Sequence, residues 1–166
     1  MIEAPIRSDP LPAEPVCHAG VTLSLAPARV RYSVRTRVPR DLPVKVTTTA
    51  PFGSGTALCL GPDEWLLMLL DGTPAPAIPG AHSVTDVSHR SIGIKIEGPK
   101  AEALLLTGCA LDLGRDFPAG KATRTLYDGV EIILWRIGVE SFHIDVWRSF
   151  APYLWAALEL AASDFR

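Results

Sequence analysis

The stretch from Val84 to Leu113 most constrains the fold, because it passes from strand-like to helix-like periodicity within one short segment. Ile92, Ile94 and Ile96 alternate with glycine and lysine, which is the period of two expected when one face of a strand is buried. A Gly-Pro pair ends the strand, and alanine and leucine at helical spacing over 101–105 predict a short helix.

Two further segments predict β-hairpins. Residues 65–70 read WLLMLL, and a run this short, bounded by turns, fits a fully buried strand better than a helix. The apolar run at 57–60 supplies the other arm of that hairpin. An Asp-Gly pair separates the runs at 123–127 and 130–137, and Asp-Gly is a strong signal for a two-residue hairpin loop.

The periodicity over the whole chain predicts seven or eight strands and two principal helices. The second helix begins after Ser149, which is a candidate N-cap, and runs to about Phe165. We expect an α+β fold with a mainly antiparallel sheet. Residues 1–20 contain four prolines and predict an extended Pro-rich arm, either disordered or laid across a partner. Residues 21–166 form one α+β domain in this prediction.

Composition excludes several classes of function. Apolar residues make up 48% of the chain and charged residues 20%, which suits a globular domain with a substantial core. The net charge of −2 gives no general attraction to nucleic acid or acidic membranes. No apolar run approaches the roughly 18 residues of a membrane span. The acidic, Pro-containing N-terminus does not resemble a signal peptide, so we expect a cytoplasmic protein with no nucleic-acid or membrane partner.

A concentration of positive charge lies on one predicted strand near residue 30. Successive side chains of a strand point to opposite faces, so alternate positions share a face. Apolar side chains take one face and arginines the other. The apolar set is Val30, Tyr32, Val34 and Val38, and the basic set, which we name the arginine row, is Arg29, Arg31, Arg35 and Arg37. We expect an exposed face that is either simply solvated or docks on an acidic partner.

Two polar clusters invite a catalytic interpretation that the strand geometry disfavours. Ser88 and His89 are adjacent, so in an extended chain they point to opposite faces, and Asp86 would face away from the candidate base. Local turn hydrogen bonds explain this cluster better. His143 and Asp145 share a strand face, but the sequence identifies no third metal ligand, and we expect solvated side chains there. No catalytic residue is predicted.

The sequence also gives no metal or cofactor site. Cys17, Cys59 and Cys109 are far apart, with no C-x-x-C spacing, and Cys17-His18 shares no motif with the other histidines. We expect reduced, mostly buried thiols. No glycine-rich dinucleotide or phosphate loop is present, so we expect no cofactor bound by this chain.

Five strings, taken together and in order, resemble the gamma subunit family of heterotetrameric sarcosine oxidase. The resemblance covers about residues 42–165 and leaves the Pro-rich arm outside. The strings are LGPDEWLLM at 60–68, TDVSHRSIGIKIEGPKAEALLLTGCALDL at 85–113, FPAGKATRTL at 117–126, ILWRIG at 133–138 and DVWRSFAPYLWAALELAA at 145–162.

This resemblance implies a fold like the folate-binding domain of aminomethyltransferases. It implies alpha, beta and delta subunits as partners, with FAD, FMN, NAD and tetrahydrofolate bound on the alpha and beta subunits and zinc on delta. The gamma chain would supply no catalytic group to the oxidative demethylation of sarcosine to glycine. The alternative is a free-standing folate-binding one-carbon enzyme of the aminomethyltransferase type, although the chain is much shorter than such enzymes.

Overall fold

The computed structural model describes residues 9–165, and within this range the chain forms eleven strands and two helices. The strands are β1 (Val16–His18), β2 (Val21–Leu25), β3 (Arg29–Thr36), β4 (Thr49–Phe52), β5 (Gly55–Gly61), β6 (Glu64–Leu70), β7 (His82–Asp86), β8 (Ser91–Glu97), β9 (Ala122–Tyr127), β10 (Val130–Gly138) and β11 (Ser141–Trp147). The helices are α1 (Ala101–Leu106) and α2 (Ala151–Ser163).

The strands form two sheets, and each pairing between named strands is antiparallel. The first sheet has the order β1-β2-β8-β11-β10-β9, and the second has the order β4-β5-β6-β3-β7. Two helices with mainly antiparallel sheets confirm the predicted α+β class. No helix in the described range is long and apolar enough to cross a membrane.

Both helices cover one face of the first sheet. Ile94 and Ile96 of β8 are fully buried against Leu104 of α1 and Leu154 of α2, in one continuous apolar cluster. Burial of such a side chain contributes roughly 1.5–3 kcal/mol relative to leaving it exposed. The alternating isoleucines of β8 are therefore the side chains that face the helices, and β8 is an inner strand of the first sheet.

The second sheet is covered on both faces, which explains the unbroken apolar run of β6. Leu66 and Met68 face the first sheet and pack with Ala122 of β9. Trp65 and Leu67 face the opposite way, into a cluster closed by loop residues that include Ile78. A strand with no solvated face needs apolar residues at successive positions, so the predicted buried strand is confirmed.

The predicted Asp-Gly hairpin joins β9 to β10. Tyr127 pairs with Val130, leaving two loop residues. Asp128 and Gly129 have φ angles of 47° and 77°. A type I′ loop requires positive φ at both central positions, and Asp-Gly tolerates this better than most pairs.

Two predictions at the ends of the domain need correction. Residues 16–18, assigned to the arm, form β1 and pair with β2, and Leu11 is buried in the core of the first sheet. Residues 16–18 therefore pair within the first sheet, and the arm predicted over residues 1–8 lies outside the described residues. Ser149 does not cap α2, because the N-cap is Phe150, with no side-chain capping bond.

Candidate functional site

An ion pair is buried between the two sheets. Arg31 of β3 donates from Nε to Oδ2 of Asp145 on β11, with an N–O distance of 2.5 Å. The side chains are only 6% and 3% exposed. A second guanidinium nitrogen of Arg31 donates to the carbonyl of Arg29 at 3.0 Å. Each sheet thus contributes one charge, and the pair links the sheets.

The surroundings of Asp145 keep its carboxylate ionised. Burial raises the pKa of Asp145, but the neighbouring imidazole of His143 and the guanidinium of Arg31 lower it by more, so the pKa lies below its usual value. Nε2 of His143 is 3.8 Å from Oδ2 of Asp145, beyond hydrogen-bond distance. Among the described residues that nitrogen is buried and has no hydrogen-bond partner. The expectation that His143 and Asp145 are solvated is wrong.

Gly93 makes room for this cluster. It is the register partner of Asp145 on the neighbouring strand β8. A Cβ atom at position 93 would lie 2.6 Å from Cε1 of His143 and 2.8 Å from the Cβ of Ala26. The imidazole therefore lies directly over the Gly93 backbone. A residue larger than glycine at position 93 of β8 would displace the His143 imidazole.

The arginine row does not form the exposed face that the sequence predicts. Arg31 is opposite Met68 in the β3–β6 register, and paired residues share a face, so Arg31 points toward the first sheet and is buried. Arg35 is exposed and contacts Glu64 at 3.0 Å, and Glu64 in turn contacts Arg124 of β9 at 2.8 Å. This second ionic link also joins the sheets. The exposed-face prediction is therefore wrong for Arg31, whose charge is buried and paired with Asp145.

The cluster of Asp86, Ser88 and His89 is a turn rather than a catalytic relay. Asp86 Oδ1 accepts hydrogen bonds from the Ser88 amide at 2.9 Å and the Ser88 hydroxyl at 2.6 Å. Those bonds hold the pKa of Asp86 below its usual value. A carboxylate of depressed pKa is a poor general base near neutral pH, so it does not activate the hydroxyl it accepts from. The local hydrogen bonding predicted for this segment is confirmed.

A cavity of about 230 Å³ opens beside the buried ion pair. Two connections between the sheets, at 26–28 and 87–90, run past it, and its lining includes Arg29, Arg31 and Gly93. No sequence pattern predicts this cavity, because its lining comes from separate segments that only the fold brings together.

The remaining candidate residues stay apart. Across residues 9–165 no cluster of three or more histidine, cysteine or acidic side chains has the arrangement of a metal site. Cys59 and Cys109 are buried free thiols, whereas Cys17 on β1 is exposed.

The buried pair yields a double-mutant prediction. Arg31→Met leaves a carboxylate buried without its partner, so it should lower the free energy of unfolding by about 3–5 kcal/mol, and Asp145→Leu should cost a similar amount. The double variant should recover most of the loss, since apolar replacements of both charges are often nearly neutral. Urea denaturation at pH 7 measures all three. Arg35→Met is the control, because the Arg35 side chain is 53% exposed, and it should cost under about 1 kcal/mol. A double variant as unstable as the sum of the single changes would contradict this assignment.

The lowered pKa of Asp145 sets the direction of a pH effect. In the unfolded chain an aspartate titrates near pH 3.9, and in the folded protein Asp145 titrates lower. Its stabilising contribution is therefore complete above about pH 4 and is lost as the pH falls toward the folded pKa. Relative to the Arg31→Met/Asp145→Leu variant, the wild-type chain should lose stability as the pH falls below about 4. A stability difference that stays constant over that range would count against an ionised Asp145.

The sequence comparisons point to one family. The profile described as "Sarcosine oxidase, gamma subunit family" matches residues 25–164. The sarcosine oxidase subunit gamma of Corynebacterium sp. (strain U-96) is 35% identical over 132 residues, which is 75% of this chain and 64% of that relative. The subunit gamma of strain P-1 is 33% identical over 138 residues, 77% of this chain and 67% of that relative. The match to the first of these relatives thus spans less than two thirds of its length.

Comparison with solved structures agrees with the sequence relatives. A chain of the heterotetrameric sarcosine oxidase from Corynebacterium sp. U-96, in complex with pyrrole 2-carboxylate, superposes with a TM-score of 0.79 and 28% identity. The match covers 92% of this chain and 89% of that chain. The glycine cleavage system aminomethyltransferase T from Bartonella henselae has the same fold over 89% of this chain and 50% of its own, with a TM-score of 0.65 and 15% identity. The predicted aminomethyltransferase-like fold is confirmed, and the chain belongs to the sarcosine oxidase gamma subunit family.

Proposed function

We propose that this chain is the gamma subunit of a heterotetrameric sarcosine oxidase and has a structural, non-catalytic role beside alpha, beta and delta subunits. The observation that carries the proposal is the likeness to a chain of such a complex, which extends over nearly the whole length of both chains. The family match over residues 25–164 supports it. In this proposal the assembled complex, and not this chain alone, demethylates sarcosine to glycine.

The internal chemistry supports a non-catalytic role. The carboxylate of Asp145 is committed to Arg31, and the Ser88 hydroxyl is committed to Asp86. Neither group is poised to exchange a proton with a substrate near neutral pH. The flavins, NAD and tetrahydrofolate of the reaction are therefore assigned to other subunits in this proposal. It also includes a cytoplasmic location, with which free thiols at Cys59 and Cys109 are compatible.

The partner-binding role of the arginine row is proposed for three of its four members. Arg31 is excluded because it is buried. Arg37 follows β3 and is exposed, Arg35 is exposed beside Asp63, and Arg29 is half-buried at the cavity. Their charges suit an acidic surface on a large subunit, where rim charges chiefly set the association rate.

Reconstitution tests the proposed function. The purified chain should be colourless and should form no hydrogen peroxide from sarcosine. Mixed with the alpha, beta and delta subunits of the same organism, it should enter one complex in a stoichiometric amount, seen by size-exclusion chromatography with light scattering. Calorimetric titration of the isolated chain with tetrahydrofolate should show no binding. Micromolar one-to-one binding that is weakened by Arg29→Ala at the cavity would instead favour the folate-enzyme alternative.

Charge reversal tests the docking role of the arginines. Arg29→Glu/Arg37→Glu should slow association with the large subunits by about tenfold at low salt, because attraction to an acidic surface becomes repulsion. Arg115→Glu is the control, since Arg115 is exposed on a different loop, and it should leave the rate unchanged. Stopped-flow mixing at two salt concentrations measures the effect. Equal rates for the double variant and the control would leave these arginines as solvated side chains.

A further inference from the structure

Strand β7 forms one edge of the second sheet and pairs with β3 alone among the described strands. Four of its five side chains are exposed, and only Val84 is half-buried. A sheet edge carries a row of backbone N–H and C=O groups that point to solvent, and another chain can pair with them.

The register identifies which backbone groups of β7 point outward. The Val87 amide donates to the Arg31 carbonyl at 2.9 Å, and the Thr36 amide donates to the backbone carbonyl of Asp63, the residue before β6, at 3.2 Å. Odd-numbered residues of β3 therefore bond toward β7, and even-numbered residues bond toward β6. Since the β3–β7 register pairs odd with odd positions, His82, Val84 and Asp86 direct their backbone groups away from β3.

Strand β4, the opposite edge of the same sheet, is blocked against further pairing, so the two edges of this sheet differ. On β4, the Cys59 amide donates to the Thr48 carbonyl, so even-numbered positions bond toward β5 and odd-numbered positions face outward. Pro51 occupies an outward position and has no N–H to offer a further strand. The Thr49 amide, also outward, is taken by the Gly120 carbonyl. On β7, the corresponding outward position is Val84, which keeps its N–H.

A shallow groove beside β7 indicates the chemistry of a partner. Its volume is about 400 Å³, and its lining includes Arg35, Arg37, Val38 and His82. Arg35 is engaged by Asp63 and Glu64. Arg37 is exposed and makes no ion pair within residues 9–165. Val38 adds an exposed apolar surface. An extended segment that carries a carboxylate near an apolar side chain complements this groove.

We propose that an extended acidic segment of a large partner subunit pairs with β7 and becomes a sixth strand of the second sheet. The proposal rests on the proposed function of this chain as a subunit. Backbone bonds to His82, Val84 and Asp86 would supply the pairing, and a carboxylate opposite Arg37 would fix its register. A second copy of this chain is the competing occupant, and the experiment separates the two.

The test places on β7 the feature that blocks β4, which is a proline at an outward-facing backbone position. Val84→Pro removes an outward N–H without touching a bond to β3, and Val84→Ala, which shortens the same side chain but keeps the N–H, is its matched control. Relative to Val84→Ala, Val84→Pro should weaken binding to the large subunits at least tenfold, measured by biolayer interferometry. Arg37→Glu should weaken it further. Thermal melting of each variant alone checks that the chain still folds.

Residue-resolved hydrogen exchange on the wild-type chain gives a readout that needs no variant. In the isolated chain the amides of His82, Val84 and Asp86 should exchange rapidly, and in the assembled complex they should slow at least tenfold.

If the wild-type chain assembles while these amides stay unprotected and Val84→Pro binds as well as Val84→Ala, the edge proposal is wrong and the proposed function stands. If the wild-type chain forms no complex, both fail. Protection in the isolated chain that rises with concentration, together with a dimer mass, would assign the edge to a second copy.

Discussion

The buried ion pair between Arg31 and Asp145 is the constraint on which the rest of the structure depends. Two charges withdrawn from water are tolerated only when each satisfies the other in good geometry, and here one comes from each sheet. The pair therefore fixes how β3 lies relative to β11. The strand register then requires glycine at position 93, because His143 lies over that backbone beside Asp145. The charges of Arg31 and Asp145 thus link the two sheets.

The layering determines which parts of the two sheets are open to partners. Helices cover the outer face of the first sheet, and loops cover the outer face of the second, so neither sheet presents a broad open face. The accessible parts include the edge of the second sheet at β7 and the shallow groove beside Arg37. A scaffold of this kind offers partners an edge and a few charges, which agrees with a structural role in a larger assembly.

Local sequence signals predicted the elements whose neighbours lie close in the chain. Isoleucine alternation gave β8, the unbroken apolar run gave β6, and Asp-Gly gave the β9–β10 loop. The burial of Arg31 was not predictable, because alternation separates the two faces of a strand but does not tell which faces are covered. Its partner Asp145 lies 114 residues away, and no local pattern joins them. Strand β1 was missed because three residues are too few for a periodicity to appear.

Native-state hydrogen exchange on the isolated chain tests most directly whether the ion pair and the inter-sheet core make the two sheets one cooperative unit. Amides of β3 and β6 report on the second sheet, and those of β8 and β11 report on the first. With added denaturant, both sets should converge on one opening free energy equal to that of global unfolding. If β3 and β6 opened at a much lower free energy while β8 and β11 stayed protected, the two sheets would be independent units and the central role of the Arg31–Asp145 pair would be contradicted.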